Sequence, residues 1–170
     1  GGEIREAVGE IQKSGEHLLG LINDVLDISR IEAGRMDLRL TEGAVEECIE
    51  TAVGRMAPLA KEKGLKLSAE VRERLPACVF DPQRITQVLF NLMANAIKFT
   101  SRREVRVGAR AENGHLLFWV ADTGIGIPAG ELQNIFSEFR QVDSSITREA
   151  QGSGLGLAIA RKFVEMHGGR

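Results

Sequence analysis

The sequence has little of several features that mark particular classes of protein. Its two cysteines, Cys48 and Cys78, lie in unrelated contexts without the paired spacing of a zinc site, so a reduced, cytoplasmic setting is expected. The longest apolar stretch, Leu116 to Ala121, is far shorter than the roughly 18 residues of a membrane helix. No secretory signal is visible either. We therefore expect no direct membrane contact for this segment, which leaves open whether a parent protein is membrane-anchored.

An excess of charge of either sign is also lacking. The 170 residues carry 22 Lys and Arg against 24 Asp and Glu, a formal net charge of −2. A nearly neutral chain lacks the basic field that nucleic-acid binding needs, so no nucleic-acid partner is expected. Hydrophobic residues at 43% and charged residues at 27% are close to the globular average. The length suits one domain and an appendage, and the one compositional excess is glycine, with 19 residues.

The first part of the chain has the periodicity of a long helix. Apolar residues recur in heptads at Ile4, Ala7, Ile11, Leu18, Leu21, Val25 and Ile28. This pattern predicts a helix over 3–33 that ends at Gly34 and supplies one seam of a coiled coil or helical bundle. The alternative is a helix that packs on its own domain.

The rest of the chain mixes helical and strand patterns. It predicts helices over Glu42–Lys63 with Thr41 as N-cap, from Pro82 to about Ile97 with Asp81 as N-cap, around Glu131–Phe136, and over Leu155–Met166. It predicts strands over Leu65–Val71, Glu104–Ala111 and His115–Ala121, the last two joined by the hairpin signal Asn113-Gly114. This order indicates an α+β, two-layer sandwich.

Three polar side chains share one stripe of the third helix. Asn91, Asn95 and Lys98 stand at i, i+4 and i+7, beside an apolar stripe that faces a core. Carboxamide oxygens can ligate Mg²⁺ and a lysine neutralises phosphate, so the stripe suits an anion held with a hard cation. A surface helix that is merely amphipathic would show the same pattern.

A second candidate site is the run from Asp122 to Pro128, directly after an apolar strand. A carboxylate at a strand end can accept a hydrogen bond from an exocyclic amine. Gly124 and Gly126 allow the backbone to approach a flat ring closely. Alone, this run could be an ordinary turn.

A third candidate site is Gly152-Ser153-Gly154-Leu155-Gly156, which opens the last helix. Amides at a helix N-terminus bind anions, and glycines let phosphate oxygens reach them. The run is not a P-loop, because no Lys-Ser or Lys-Thr follows the glycines. It is not a Rossmann fingerprint, because a polar loop precedes it.

Together and in this order, the three motifs resemble the ATP-binding domain of sensor histidine kinases in two-component systems. This domain belongs to the GHKL superfamily and has the Bergerat fold. The matching segments are an N box at Asp81–Thr100, glycine boxes at 122–126 and 152–156, an F box at Phe136–Phe139, and the second dimerisation helix with its exit at 14–34. The resemblance covers essentially the whole chain.

The resemblance implies a role for each matching residue. Asn95 would be the Mg²⁺ ligand, Asn91 and Lys98 would act on the phosphates in catalysis, and Phe99 would lie beside the adenine. Asp122 would accept from the adenine amino group. The remaining implied ATP contacts are Gly124, Gly126, Ile127, Gly152, Gly154, Leu155 and Gly156. A lid over about Phe136–Ser153 would add Arg140 or Gln141.

The resemblance also implies an organisation. Residues 1–36 would be the second helix of a dimerisation domain and 37–170 the ATP-binding catalytic domain. The partners would be a second copy of the parent protein, through the N-terminal helix, and a response-regulator receiver domain. The family usually continues past His167-Gly168-Gly169 into two more strands, so we expect this segment to be a fragment with truncated C-terminal strands.

The function implied is a protein-histidine kinase that donates the γ-phosphoryl group of Mg-ATP to a histidine. A typical H box is absent, and His17, His115 and His167 stand in other contexts, so the acceptor would lie on a helix outside this segment. Two alternatives remain. A GHKL ATPase would place a glutamate at Asn91 as general base, and an amide cannot take that proton. A module that dimerises without catalysis would not need intact nucleotide motifs.

Overall fold

The computed structural model of the chain describes residues 2–71, 75–138 and 153–170. The chain divides into two units, Gly1–Met36 and Asp37–Arg170. In the described part of the chain, no helix has both the length and the apolar character needed to cross a bilayer.

The first unit is one helix, α1, over Gly2–Glu32, which confirms the helix predicted over 3–33. It ends as predicted at Gly34, whose φ is 63°. The amides of Gly34 and Arg35 bond back to the carbonyls of Ile31 and Arg30, a glycine-terminated helix end. Most of the heptad side chains are exposed, including Ile4 at 71% and Ile11 at 72%. The seam therefore remains uncovered along most of α1.

The second unit alternates short strands with helices. In chain order these are β1 Thr41–Gly43, α2 Val45–Glu62, β2 Lys66–Val71, β3 Cys78–Phe80, α3 Pro82–Phe99, β4 Glu104–Glu112, β5 His115–Asp122 and α4 Gly156–Met166. The strand β4 pairs in parallel with β2 and antiparallel with β5. The strands β1 and β3 form a separate antiparallel pair. This architecture confirms the predicted sandwich of helices and sheet.

The core lies between the sheet and the helices α2 and α3. Its members include Ile49 and Met56 of α2, Leu89, Met93 and Ile97 of α3, and Val105 and Val107 of β4. The helix α3 begins as predicted, with Pro82 in its first turn and the Asp81 carboxylate accepting from the Arg84 amide at 3.1 Å. The hairpin turn also forms as predicted, with both Asn113 and Gly114 at positive φ.

The helix α4 packs along α3, and the C-terminal end of α4 contacts the start of α3. The Asp81 amide donates to His167 Nε2 at 3.0 Å, while His167 Nδ1 lies 2.7 Å from the Phe163 carbonyl. Because a carbonyl only accepts, Nδ1 carries the proton and Nε2 is the acceptor. The Arg84 guanidinium also lies 4.8 Å from the centre of the Phe163 ring. These contacts join the start of α3 to the last turns of α4.

Two of the predicted elements are wrong. Thr41 does not cap α2, because it belongs to β1, where it pairs with Phe80, and the helix begins after Ala44. The helix predicted around Glu131–Phe136 is absent. A 3-10 turn spans Ala129–Glu131 and a continuous run of turns follows over 132–136, since a segment this short gains too few hydrogen bonds to nucleate a helix.

Candidate functional site

The polar stripe of α3 is present and lies at the edge of the core. Asn91, Asn95 and Lys98 are half-buried, while Leu89, Met93 and Ile97 on the apolar stripe are completely buried. The stripe therefore exposes two carboxamides and one ammonium from a helix whose position is set by its buried side. Such a rigid support holds ligand-binding groups in place before a ligand arrives.

Asn91 joins the first predicted motif to the third. Its Nδ2 donates to the carbonyl oxygen of Gly156, the first residue of α4, at 2.9 Å. A Cβ on Gly156 would lie 3.5 Å from Asn91 Cγ, an ordinary contact distance. The polar stripe of α3 and the N-terminus of α4 are therefore in direct contact.

Asn95 differs from Asn91 in having no hydrogen-bond partner among the described residues. Its half-buried carboxamide is one turn from Asn91 on the same stripe and is free to ligate. Carboxamide oxygen is a ligand that Mg²⁺ accepts. The donor chemistry at Asn95 therefore fits a divalent cation.

Lys98 ends the stripe in a partly desolvated position. Burial lowers the pKa of Lys98 from its ordinary value of 10.5, because it disfavours the charged form. The ammonium lies 5.1 Å from the centre of the exposed Phe99 ring. An anion bound here would restore the favourable electrostatics that burial removes.

The second predicted motif packs against the end of α3. By strand alternation Asp122 lies on the same face of β5 as Phe118 and Val120, which are partly buried against the core, and it is itself exposed at the end of the strand. Its Oδ1 accepts from the Gly124 amide at 2.8 Å. The Oδ2 atom has no hydrogen-bond partner among the described residues.

Gly124 lies too close to α3 to carry a side chain. A Cβ there would lie 2.4 Å from the Phe99 carbonyl oxygen, and the next amide, of Ile125, donates to that same oxygen at 3.3 Å. Gly126 has a φ of 72°, and Ile127 is 49% exposed. The loop from Asp122 to Gly126 is thus attached to the last turn of α3, next to Lys98 and Phe99.

The third predicted motif is only partly described. Gly154 has a φ of 68°, a conformation that favours glycine. The Leu155 side chain is only 1% exposed, so it belongs to the core. The Leu155 amide donates to Ser153 Oγ at 3.1 Å. Gly152, Arg140, Gln141, Phe139 and most of the predicted lid lie outside the described residues, and their roles stay predictions.

Sequence reasoning missed Lys63, whose ammonium reaches the end of α3. Its Nζ donates to the carbonyls of Ile97 at 2.9 Å and Lys98 at 2.8 Å. No motif includes this lysine. The one sequence signal for Lys63 is its place immediately before Gly64, a glycine that can end a helix. In the structure Gly64 ends α2 with a φ of 67°.

Comparisons with known proteins agree with the resemblance found in the sequence. The family model described as histidine kinase-, DNA gyrase B-, and HSP90-like ATPase matches residues 80–170. The circadian input-output histidine kinase CikA of Synechococcus elongatus is 40% identical over 168 residues, which are 97% of this chain and 22% of that protein. The autoinducer 2 sensor kinase/phosphatase LuxQ of Vibrio cholerae is 44% identical over 174 residues, covering 99% of this chain and 20% of that protein.

Solved structures that resemble this chain include histidine kinases as well. Full-length ShkA in complex with AMPPNP has a TM-score of 0.85 and 36% identity, over 98% of this chain and 34% of that one. The catalytic domain of histidine kinase ThkA has a TM-score of 0.66 and 26% identity, over 76% of this chain. The chain spans about a fifth of the length of the curated relatives named above.

Proposed function

Because this chain belongs to the family of histidine kinase-, DNA gyrase B-, and HSP90-like ATPases, we propose that it binds Mg-ATP and donates the γ-phosphoryl group to a histidine. The observation that carries the proposal is the hydrogen bond from Asn91 to Gly156 at 2.9 Å. It brings a polar helix stripe to the N-terminus of a second helix. Such a combination of amides, carboxamides and an ammonium is suited to a polyphosphate.

Each end of the nucleotide would meet a different part of the site. Oδ2 of Asp122 would accept from the adenine amino group, beside the exposed Phe99 ring. Lys98 and the first amides of α4 would bind the phosphates. Asn95, whose carboxamide has no partner among the described residues, would hold Mg²⁺. When bound, Mg²⁺ supplies neutralisation of the phosphate charge.

The proposal favours transfer to histidine over hydrolysis. In the transfer, an imidazole nitrogen forms the N–P bond while the bond from Pγ to the β–γ bridging oxygen breaks, and ADP leaves. This chain contributes position and charge, which carry nearly all of phosphoryl-transfer catalysis. Hydrolysis would need a general base for water. Asn91 cannot accept that proton, and its Nδ2 is already bonded to Gly156.

We propose that the acceptor histidine lies outside this sequence. His17, His115 and His167 do not stand in an H box, and His167 also has both ring nitrogens in hydrogen-bond contacts. We assign residues 1–36 to a dimerisation helix, supported by its exposed heptad seam, and 37–170 to the ATP-binding domain. The partners would then be a second copy of the parent protein and a receiver domain, in the cytoplasm.

The experiment measures ATP affinity with and without Mg²⁺ by calorimetry. We expect Asn95→Ala to lose the Mg²⁺-dependent gain in affinity and to keep the thermal melt of wild type, since truncating a half-buried polar side chain opens no core cavity. Gln83→Ala, an exposed carboxamide on the first turn of α3, is the matched control. If Asn95→Ala keeps the full Mg²⁺ effect, Asn95 is not the ligand.

Labelled ATP then separates the three candidate functions. We expect no stable label on the chain alone and label on a supplied helical hairpin that carries an H-box histidine. Release of phosphate without transfer would favour an ATPase. Failure of wild type to bind ATP at all would favour a non-catalytic module and refute the proposal.

A further inference from the structure

The C-terminal turn of α3 has no glycine cap. The helix ends at Phe99, and Thr100 continues in extended conformation, so the last four carbonyls have no partner within the helix. Each of the four accepts from a donor elsewhere. Thr100 Oγ1 donates to Ala96 at 2.7 Å, Lys63 Nζ to Ile97 at 2.9 Å and Lys98 at 2.8 Å, and the Ile125 amide to Phe99 at 3.3 Å.

Lys63 is placed for this contact by the end of α2. Its own amide bonds to the Leu59 carbonyl, and the amides of Gly64 and Leu65 bond back to Lys61 and Ala60, so the backbone around it is fixed. The ammonium thus lies at the negative end of the α3 dipole, where a cation is stabilising. A lysine ammonium has three donors, enough for both short contacts and the longer one to Thr100 O at 3.5 Å.

We propose that Lys63 is a positioning residue for the nucleotide site. Its ammonium holds the turn that presents Lys98 and Phe99, and the final carbonyl of that turn holds the loop from Asp122 to Gly126. Lys63 therefore acts on both the phosphate end and the base end of the site without touching the ligand. The inference rests on the proposed binding of a nucleoside triphosphate.

The test compares three variants with wild type, well below the melting temperature of each. Lys63→Met keeps the aliphatic stem but removes the donors, and we expect about a five- to thirty-fold loss of Mg-ATP affinity, because two charge-assisted hydrogen bonds disappear. Lys63→Arg should recover most of the affinity. Lys61→Met, an exposed lysine of the same helix end, should bind like wild type.

A second measurement separates positioning from a general effect on stability. The Ile125 amide is bonded to Phe99, so its hydrogen exchange reports attachment of the loop to α3. We expect faster exchange at Ile125 in Lys63→Met and unchanged exchange in Lys61→Met. A Lys63→Met protein with a lower melting temperature but wild-type affinity and wild-type Ile125 exchange would show a purely structural role.

The two proposals fail in different ways. If wild type does not bind ATP, the proposed function fails, while Ile125 exchange in Lys63→Met still decides whether Lys63 holds the loop. If Lys63→Met does not fold, Lys63→Leu, which also lacks a donor, takes its place in both measurements. Wild-type exchange and affinity in that variant would overturn the proposal.

Discussion

Replacing Gly124 by alanine tests whether the close approach of the loop to α3 forms the base end of the site. The added Cβ would lie 2.4 Å from the Phe99 carbonyl oxygen and 2.8 Å from Asp122 Oδ1. The first neighbour is backbone at a helix end and cannot rotate away. To reach ordinary contact at 3.4 Å the loop must move by about 1 Å, the difference between 3.4 and 2.4 Å.

A movement of this size disturbs two hydrogen bonds. These are the bond from the Gly124 amide to Asp122 at 2.8 Å and the bond from the Ile125 amide to Phe99 at 3.3 Å. Each of these hydrogen bonds is worth about 1 kcal/mol. Because their loss moves Asp122 out of its place in the site, we expect ATP binding to weaken by the sum, about 2 kcal/mol. That free energy corresponds to about a thirty-fold rise in Kd.

Calorimetric titration with ATP, beside a thermal melt, measures this effect. Gly130→Ala is the matched control, since a Cβ there meets nothing within 4 Å and its φ is not positive. Gly126→Ala also meets nothing within 4 Å but has a φ of 72°, so it should cost only about 1 kcal/mol of backbone strain. Wild-type affinity in Gly124→Ala would refute the reasoning, because the loop would then tolerate the shift.

Two further predictions concern the two ends of the nucleotide. Asp122→Asn should weaken ATP binding about tenfold and GTP binding less than twofold, because guanine lacks the amino group at that ring position; equal losses in calorimetry would mean that the base is bound elsewhere. Burial lowers the pKa of Lys98 in the free protein, and a bound phosphate would raise this pKa again. At pH values between the lowered pKa and the ordinary 10.5, Lys98 should therefore take up protons when ATP binds. Affinity should then fall as the pH rises through the lowered pKa. Calorimetry in two buffers of different ionisation enthalpy measures the uptake, and its persistence in Lys98→Met would assign it to another group.

The elements that the sequence predicts well are those with strong local signals. The heptads of α1 extend over most of its length, α3 starts with Asp81 and Pro82, and the hairpin has Asn113-Gly114. Each of these signals acts within a few residues, and the tertiary packing agrees with it. The same locality explains why the polar stripe of α3 could be recognised before its neighbours were known.

The elements that sequence reasoning missed depend on distant partners. The strands β1 and β3 have three residues each, too few to show alternation, and form because they pair with one another. Lys63 is two residues from the equally basic Lys61, and only the approach of α3 distinguishes them. The contact from Asn91 to Gly156 likewise joins residues that are far apart in the chain.

The parallel pairing of β2 with β4 has a consequence for the order of folding. The hairpin of β4 and β5 closes over two residues and can form in microseconds. By contrast, β2 reaches β4 only after β3 and α3 have been placed between them, since parallel strands need a crossover connection. Closing that long loop costs chain entropy before its contacts are gained. We therefore expect β2 to join the sheet late, so a destabilising substitution in β2 should speed unfolding much more than it slows refolding.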